Sequence, residues 1–159
     1  MAGSSIKSLE LLEENKVLIT GIGIGLLTAL SSYASCSSIL GASIHAIPLC
    51  KKKNVLTNSY IAVIMASTIF VYSLILAIII INKMDVSLDP ILSLEYFSSS
   101  LIFGVGAYFC SKAFGQICKK SYTVLEKNQN YYITFICALS VAELVTLFSF
   151  LIALFIVLK

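Results

Sequence analysis

The sequence predicts an all-α membrane protein with four transmembrane helices. Of its 159 residues, 58% are hydrophobic and 12% are charged, whereas an ordinary soluble domain has about a quarter of its residues charged. Four apolar runs exceed the roughly 20 residues that a helix needs to cross a bilayer. The runs also repeat along the chain, with offsets of 74 and 76 residues. The four helices are therefore predicted to form two helical hairpins of duplicated design.

The first hairpin is predicted to span residues 17–82, after a polar N-terminal segment, 1–16. In that segment, charged residues surround leucines, which suits a short surface helix or, equally, a frayed terminus. The first helix, from Val17 to Cys50, has no acid or lysine and is rich in glycine, alanine and serine. Small residues let helices approach closely in lipid, so this helix is expected inside an assembly. His45, near its end, is interpreted as structural rather than catalytic.

The second helix is predicted from Asn54 to Asn82, and residues 83–95 form a polar loop. Within this loop, Asp89 before Pro90 has the pattern of an N-cap followed by a first-turn proline. The second hairpin is assigned to residues 96–159, although its first helix is traced from about Pro90 to Cys118. Lys112 lies about two turns before the lysines that end this helix, so its side chain can reach the membrane surface.

The fourth helix, Tyr131 to Leu158, contains one charged residue, Glu143, near its middle. A charged residue at the centre of a membrane helix costs about 2.5 to 3.5 kcal/mol, so it is a functional candidate by default. Desolvation disfavours the carboxylate. We therefore predict that Glu143 is neutral when it faces lipid and ionised only beside a positive charge, as a proton carrier would be.

Hydroxyl groups near the depth of Glu143 are candidate hydrogen-bond partners. Tyr72 and Thr68 lie four residues apart on one face of the second helix, and Tyr72 is the first choice. Ordinary helix packing explains the pair equally well. The remaining candidates are Ser67, Ser140 and Thr146. Serine and threonine in membrane helices more often bond their own backbone carbonyls.

Several chemistries are not expected. A net charge of +3, scattered along the chain, gives no basis for nucleic-acid binding. The five cysteines are an odd number without a CxxC pair, so they are interpreted as small packing residues without a metal or redox role. Nothing resembles a phosphate-binding loop. No catalytic residue, metal or cofactor is predicted.

The lysines predict the orientation. The loops after the first and third helices hold six lysines and one acid, and the opposite side holds four lysines and six acids. The positive-inside rule places the lysine-rich loops in the cytoplasm and both termini, with the 83–95 loop, in the lumen.

Two segments carry a family resemblance. Residues 65–74 (MASTIFVYSL) and 142–154 (AELVTLFSFLIAL) closely resemble the second and fourth helices of the V-type ATPase proteolipid family. The resemblance implies a ring of proteolipid subunits, of one or several kinds, that rotates in an ATP-driven proton pump and acidifies vacuolar compartments. Glu143 falls on the proton-binding glutamate of the family, and Ser67 on the glycine of its first hairpin. Phe109, Lys112 and Phe114 depart from the usual glycine-rich third helix.

The resemblance also implies partners. They are the stator of the pump (its a subunit), which would supply an arginine that this chain lacks, the central stalk (its d subunit), which would bind the cytoplasmic loops, and membrane lipids. ATP hydrolysis would occur on other subunits, and H⁺ would be the transported ion. The alternative is a small four-helix proton-coupled secondary transporter, which would bind its substrate at the carboxyl with aromatic residues around it. A structural four-helix channel would leave Glu143 unexplained.

Overall fold

The computed structural model describes residues 2–49, 53–84 and 89–159, and in these ranges the chain is helical. The long helices are α1 (Ala2–Ala46), α2 (Lys53–Lys83), α3 (Pro90–Lys127) and α4 (Tyr132–Leu158). Single 3₁₀ turns, Ile47–Leu49 and Gln129–Tyr131, follow α1 and precede α4. Each long helix contains a segment long and apolar enough to cross a membrane. The chain is therefore an integral, multi-pass membrane protein.

The helix ends differ from the predicted ones where polar residues continue a helix outside the apolar run. α1 begins at Ala2, so the backbone of the polar segment 1–16 joins the first transmembrane helix without a break. α3 begins at Pro90, inside the stretch 83–95 assigned to a loop, and continues nine residues beyond Cys118. Asp89 is the N-cap residue as predicted, but its side chain makes no capping hydrogen bond.

The largest helix interface lies between α1 and α3. At one close approach in this interface, a Cβ atom built on Gly41 would lie 2.9 Å from the Cα atom of Gly115. Real Cβ atoms do not approach backbone so closely, so a side chain at residue 41 would push the helices apart. The small residues that distinguish the first helix thus serve the contact between the two hairpins.

Hydrogen bonds connect each helix of this central pair to the next helix of its own hairpin. On the α1–α2 side, Ser31 Oγ donates to Ser73 Oγ at 2.6 Å and Ser35 Oγ donates to the Ala66 carbonyl at 3.1 Å. On the α3–α4 side, Ser99 Oγ donates to the Ala153 carbonyl at 2.9 Å. These buried donors hold α2 against α1 and α4 against α3.

Apolar side chains fill the interior and also cover much of the outside. One buried cluster includes Leu27, Leu76 and Phe103, and a second includes Phe114 and Phe135. Large apolar side chains are exposed on all four helices. Such a surface is unfavourable in water, so lipid or further membrane subunits would cover it.

The positive-inside prediction concerns several residues outside the described ranges. Lys51, Lys52 and Asp85 belong to this group. The described ends of α2 and α4 lie together, because Lys83 Nζ donates to the Val157 carbonyl at 2.7 Å. The side of the membrane on which they lie stays a prediction.

Candidate functional site

Glu143 lies near the middle of α4. It follows Tyr132 by eleven residues and precedes Leu158 by fifteen, which corresponds to about 16 Å and about 22 Å along the helix axis. The residue is half-buried, between buried Ala142 and exposed Leu144. The carboxyl group thus sits at mid-depth, at the edge of the protein interior.

Thr68 of α2 is the hydrogen-bond partner of this carboxyl group. Its Oγ1 atom lies 2.7 Å from Glu143 Oε1 and also 2.7 Å from the carbonyl oxygen of Met65, one turn earlier in α2. Thr68 is at the midpoint of α2, fifteen residues from each end. The bond therefore joins the two hairpins at the centre of their transmembrane helices.

The other two candidates on α2 do not hydrogen-bond the carboxyl group. Tyr72 is half-buried, and its ring stacks on Phe150 with centroids 5.3 Å apart and planes at 25°. Ser67 is exposed and donates to the carbonyl of Ile64 at 2.7 Å. Of the three α2 hydroxyls considered from the sequence, the structure brings Thr68 to the carboxyl.

The two candidates on α4 do not bond the carboxyl group either. Thr146 is fully buried and donates to the backbone carbonyl of Glu143 at 2.7 Å. This is the back-bonding expected for a threonine in a membrane helix. Ser140 lies one turn before Glu143 and is half-buried, without a hydrogen bond to the carboxyl.

Cys110 of α3 is part of the site although sequence reasoning gave it only a packing role. Its buried thiol donates to the carbonyl of Ala142 at 2.8 Å, next to Glu143 in the chain. The bond between Ser35 and Ala66 is its counterpart in the first hairpin, with donor and acceptor displaced by 75 and 76 residues. The repeat in the sequence does not single out Cys110, because its offset of 74 residues aligns Cys110 with Cys36, whereas the structural counterpart of Cys110 is Ser35.

No lysine whose side chain the structure describes pairs with Glu143. Lys112 is exposed, and its Nζ atom lies 4.6 Å from the ring centroid of Tyr108, where a cation interacts favourably with the aromatic face. The described residues also contain no group of three or more histidine, cysteine or acidic side chains that could hold a metal ion. The carboxyl thus has a hydroxyl partner and no cationic one in this part of the chain.

This arrangement accommodates a neutral carboxylic acid. A hydroxyl group has one proton to donate and can also accept a hydrogen bond. When Glu143 is protonated, its O–H can donate to Thr68 Oγ1, which in turn donates to the Met65 carbonyl. Both short contacts are then hydrogen bonds. When Glu143 is ionised, the Thr68 proton can serve only one of its two acceptors well.

Comparison with known proteins finds a family match for the second hairpin. No curated protein matches the chain at a significant level. Residues 97–156 match the family of the ATP synthase C subunit, and this match covers most of α3, nearly all of α4 and Glu143. Members of the family form rings in the membrane rotor of proton-translocating ATPases, while ATP hydrolysis occurs on other subunits. The α3–α4 hairpin of this membrane protein is therefore similar to a proteolipid of that family, a non-catalytic rotor component.

Proposed function

We propose that the chain is the proteolipid of a V-type ATPase rotor, and that its ring carries protons on Glu143 to acidify vacuolar or other endomembrane compartments. The observation that carries the proposal is the hydrogen bond of 2.7 Å between Thr68 and Glu143 at the middle of two membrane-spanning helices. A lone carboxyl at this depth has to stay neutral while it faces lipid, and in this proposal the protonated acid donates its hydrogen bond to the Thr68 hydroxyl.

The duplicated architecture favours the V-type over the F-type assignment. The matched family region corresponds to a single hairpin, α3–α4, whereas the chain has a second hairpin, α1–α2, in front of it. The repeat aligns Ser67 with Glu143. A proteolipid with two fused hairpins and one carboxyl is the pattern that the sequence resemblance to the V-ATPase proteolipid implies.

In the first step of the proposed cycle, Glu143 retains its proton while it faces lipid. Val141, Leu144, Val145 and Phe148 are exposed around Glu143 on α4, so the carboxyl turns through an apolar environment as the ring rotates. Ionisation there is disfavoured by the loss of hydration. The protonated acid, bonded to Thr68, can cross this sector without an uncompensated charge.

The release step needs a cation from another subunit. The chain contains no arginine, and none of its described lysines pairs with Glu143. An arginine of the stator's a subunit would favour the carboxylate and free the proton towards the lumen. The d subunit of the central stalk would bind the lysine-rich cytoplasmic loops and transmit the rotation that ATP hydrolysis drives on other subunits.

The surroundings of Glu143 favour H⁺ over Na⁺ as the transported ion. Hard cations are held by several oxygen atoms. Beside the carboxyl oxygens, the site offers the Thr68 hydroxyl and the Met65 carbonyl, whereas the nearby α3 side chain is the thiol of Cys110. No cofactor is required for this transport.

The test is proton pumping by a pump assembled with Glu143→Gln. This substitution keeps the shape and the capacity to bond Thr68 but removes the ability to bind and release a proton. We expect assembled rings and no acidification of reconstituted vesicles. Asp89→Asn is the matched control, since it removes a carboxylate that is exposed and makes no capping bond, and it should pump normally. Acidification by the Glu143→Gln pump would refute the proposal.

A further inference from the structure

An open groove runs between α1 and α3, and its lining includes polar and basic side chains from these two helices. Its volume is about 390 Å³, and the residues that line it belong to α1 and α3. Its polar lining consists of Ser37 and His45 from α1 and Ser111, Lys112, Gln116 and Lys119 from α3. The groove is separate from Glu143, which lies between α2 and α4.

The two glycines of the helix crossing form the floor of this groove. Gly41 and Gly115 both line it, and neither has a side chain to fill the space. A Cβ atom on Gly115 would meet its nearest neighbour only at 4.0 Å, so the space beside it is open. Leu40 and Ile44 are exposed along the α1 wall and make that wall apolar.

The groove is positively charged. Lys112 and Lys119 line it without any acidic residue. A second cavity of about 420 Å³ shares Gln116 and Lys119 and extends to Lys120 and Thr123. The two cavities thus form one basic strip along α3, and the apolar wall lies opposite.

Lys112 keeps its charge exposed within a membrane-spanning helix. Cys110 bonds Ala142, the residue next to Glu143, so Cys110 lies at about the depth of Glu143 in the membrane. Lys112 follows Cys110 by two residues and therefore lies only about 3 Å from that depth along the axis of α3. Its contact with Tyr108 offsets part of the cost of a cation at this depth.

We propose that this groove binds an acidic phospholipid, with the phosphate near Lys119, Gln116 and His45 and an acyl chain along Leu40 and Ile44. The position between two membrane-spanning helices makes lipid the natural occupant. Basic pockets between transmembrane helices bind anionic head groups. The charge of the lining then selects an acidic lipid over a zwitterionic one. The lipid site does not depend on the proton-carrying role of Glu143.

The proposal is tested on the intact assembly in nanodiscs that contain phosphatidylglycerol and phosphatidylcholine in equal amounts. Native mass spectrometry counts the lipids of each class that stay bound. We expect wild-type assemblies to retain the acidic lipid preferentially. Lys119→Gln should lower that retention about fivefold, the effect of one lysine on an anionic lipid. Equal retention of both lipid classes by the wild type would overturn the proposal.

Two further variants separate the groove from a general charge effect. Lys127→Gln removes the same charge from an exposed position on α3 that lines neither cavity, and it should retain lipid as the wild type does. Gly115→Leu fills the groove without changing the charge and should displace the lipid. Loss of lipid with Lys127→Gln equal to the loss with Lys119→Gln, or full retention with Gly115→Leu, would contradict the site.

Free phosphate is the other source of such an anion. Inorganic phosphate added to wild-type assemblies in phosphatidylcholine alone should not bind in the groove, because it has no acyl chain to cover the apolar wall. Protection of Lys119 from amine acetylation by inorganic phosphate, equal to the protection by phosphatidylglycerol, would show a phosphate site and refute the lipid assignment.

Discussion

The bond between Thr68 and Glu143 should be measurable as a coupling free energy between two substitutions. Thr68→Val keeps the side-chain shape and removes the hydroxyl, and Glu143→Met keeps the length and removes the carboxyl. At 2.7 Å, a bond between neutral groups contributes about 0.5–1.5 kcal/mol, and a bond to a charged group about 1.5–3 kcal/mol. Because no described lysine pairs with Glu143, we predict a neutral acid and a coupling of about 1 kcal/mol.

The assay is thermal unfolding of the wild type, both single variants and the double variant in one detergent, which forms a double-mutant cycle. For a chain of this length, 1 kcal/mol corresponds to about 2–4 °C in Tm. The matched control is a second cycle that uses Ser67→Ala in place of Thr68→Val. Because Ser67 bonds a carbonyl of its own helix, the coupling between Ser67→Ala and Glu143→Met should be close to zero. A Thr68 coupling below about 0.3 kcal/mol would mean that the bond does not form. One above about 2 kcal/mol would mean that the carboxyl is ionised.

Two other contacts give predictions that compare matched variants. Gly41→Ala should lower the free energy of unfolding by about 1–3 kcal/mol relative to Gly25→Ala, because a Cβ meets Gly115 backbone at residue 41 but nothing within 4 Å at residue 25; equal thermal stability of the two variants would contradict the close crossing. Cys110→Ala should cost about 1 kcal/mol through loss of the bond to Ala142, whereas Cys110→Ser should recover most of it. Equal losses of unfolding free energy for Cys110→Ala and Cys110→Ser, measured by urea unfolding, would show that the bond to Ala142 contributes nothing.

The number of helices and the depth of Glu143 follow from constraints that are strict in lipid. Backbone groups in a bilayer must be hydrogen-bonded within the protein, and a single apolar run of this length satisfies its own groups as a helix. The position of Glu143 within α4 then follows from counting residues. Pro90 likewise marks the start of α3, because proline fits the first helical position and few others.

The choice among the hydroxyls near Glu143 could not be predicted. Thr68 and Tyr72 lie on the same face of α2 and at similar depth, so helical spacing treats them alike. What separates them is the position of Phe150 on α4, which takes the Tyr72 ring in a stacked contact. That contact depends on how α2 and α4 are rotated relative to each other, and periodicity does not record such a rotation.

The end of α3 could not be predicted from hydrophobicity for a different reason. Residues after Cys118 are mostly polar, yet lysine and glutamate are good helix formers, and α3 continues to Lys127. Hydropathy marks where a helix leaves the apolar layer, and it says nothing of where the helix stops. The same reasoning explains why α1 already begins at Ala2.

Ser67, which occupies the position equivalent to Glu143, halves the number of protons that the proposed ring carries in one turn. Each copy occupies the circumference of two hairpins but delivers one proton. The work of one full turn is then divided among half as many protons as it would be if residue 67 were also acidic. Each proton can therefore be driven against a gradient up to twice as steep, at the expense of flux per turn.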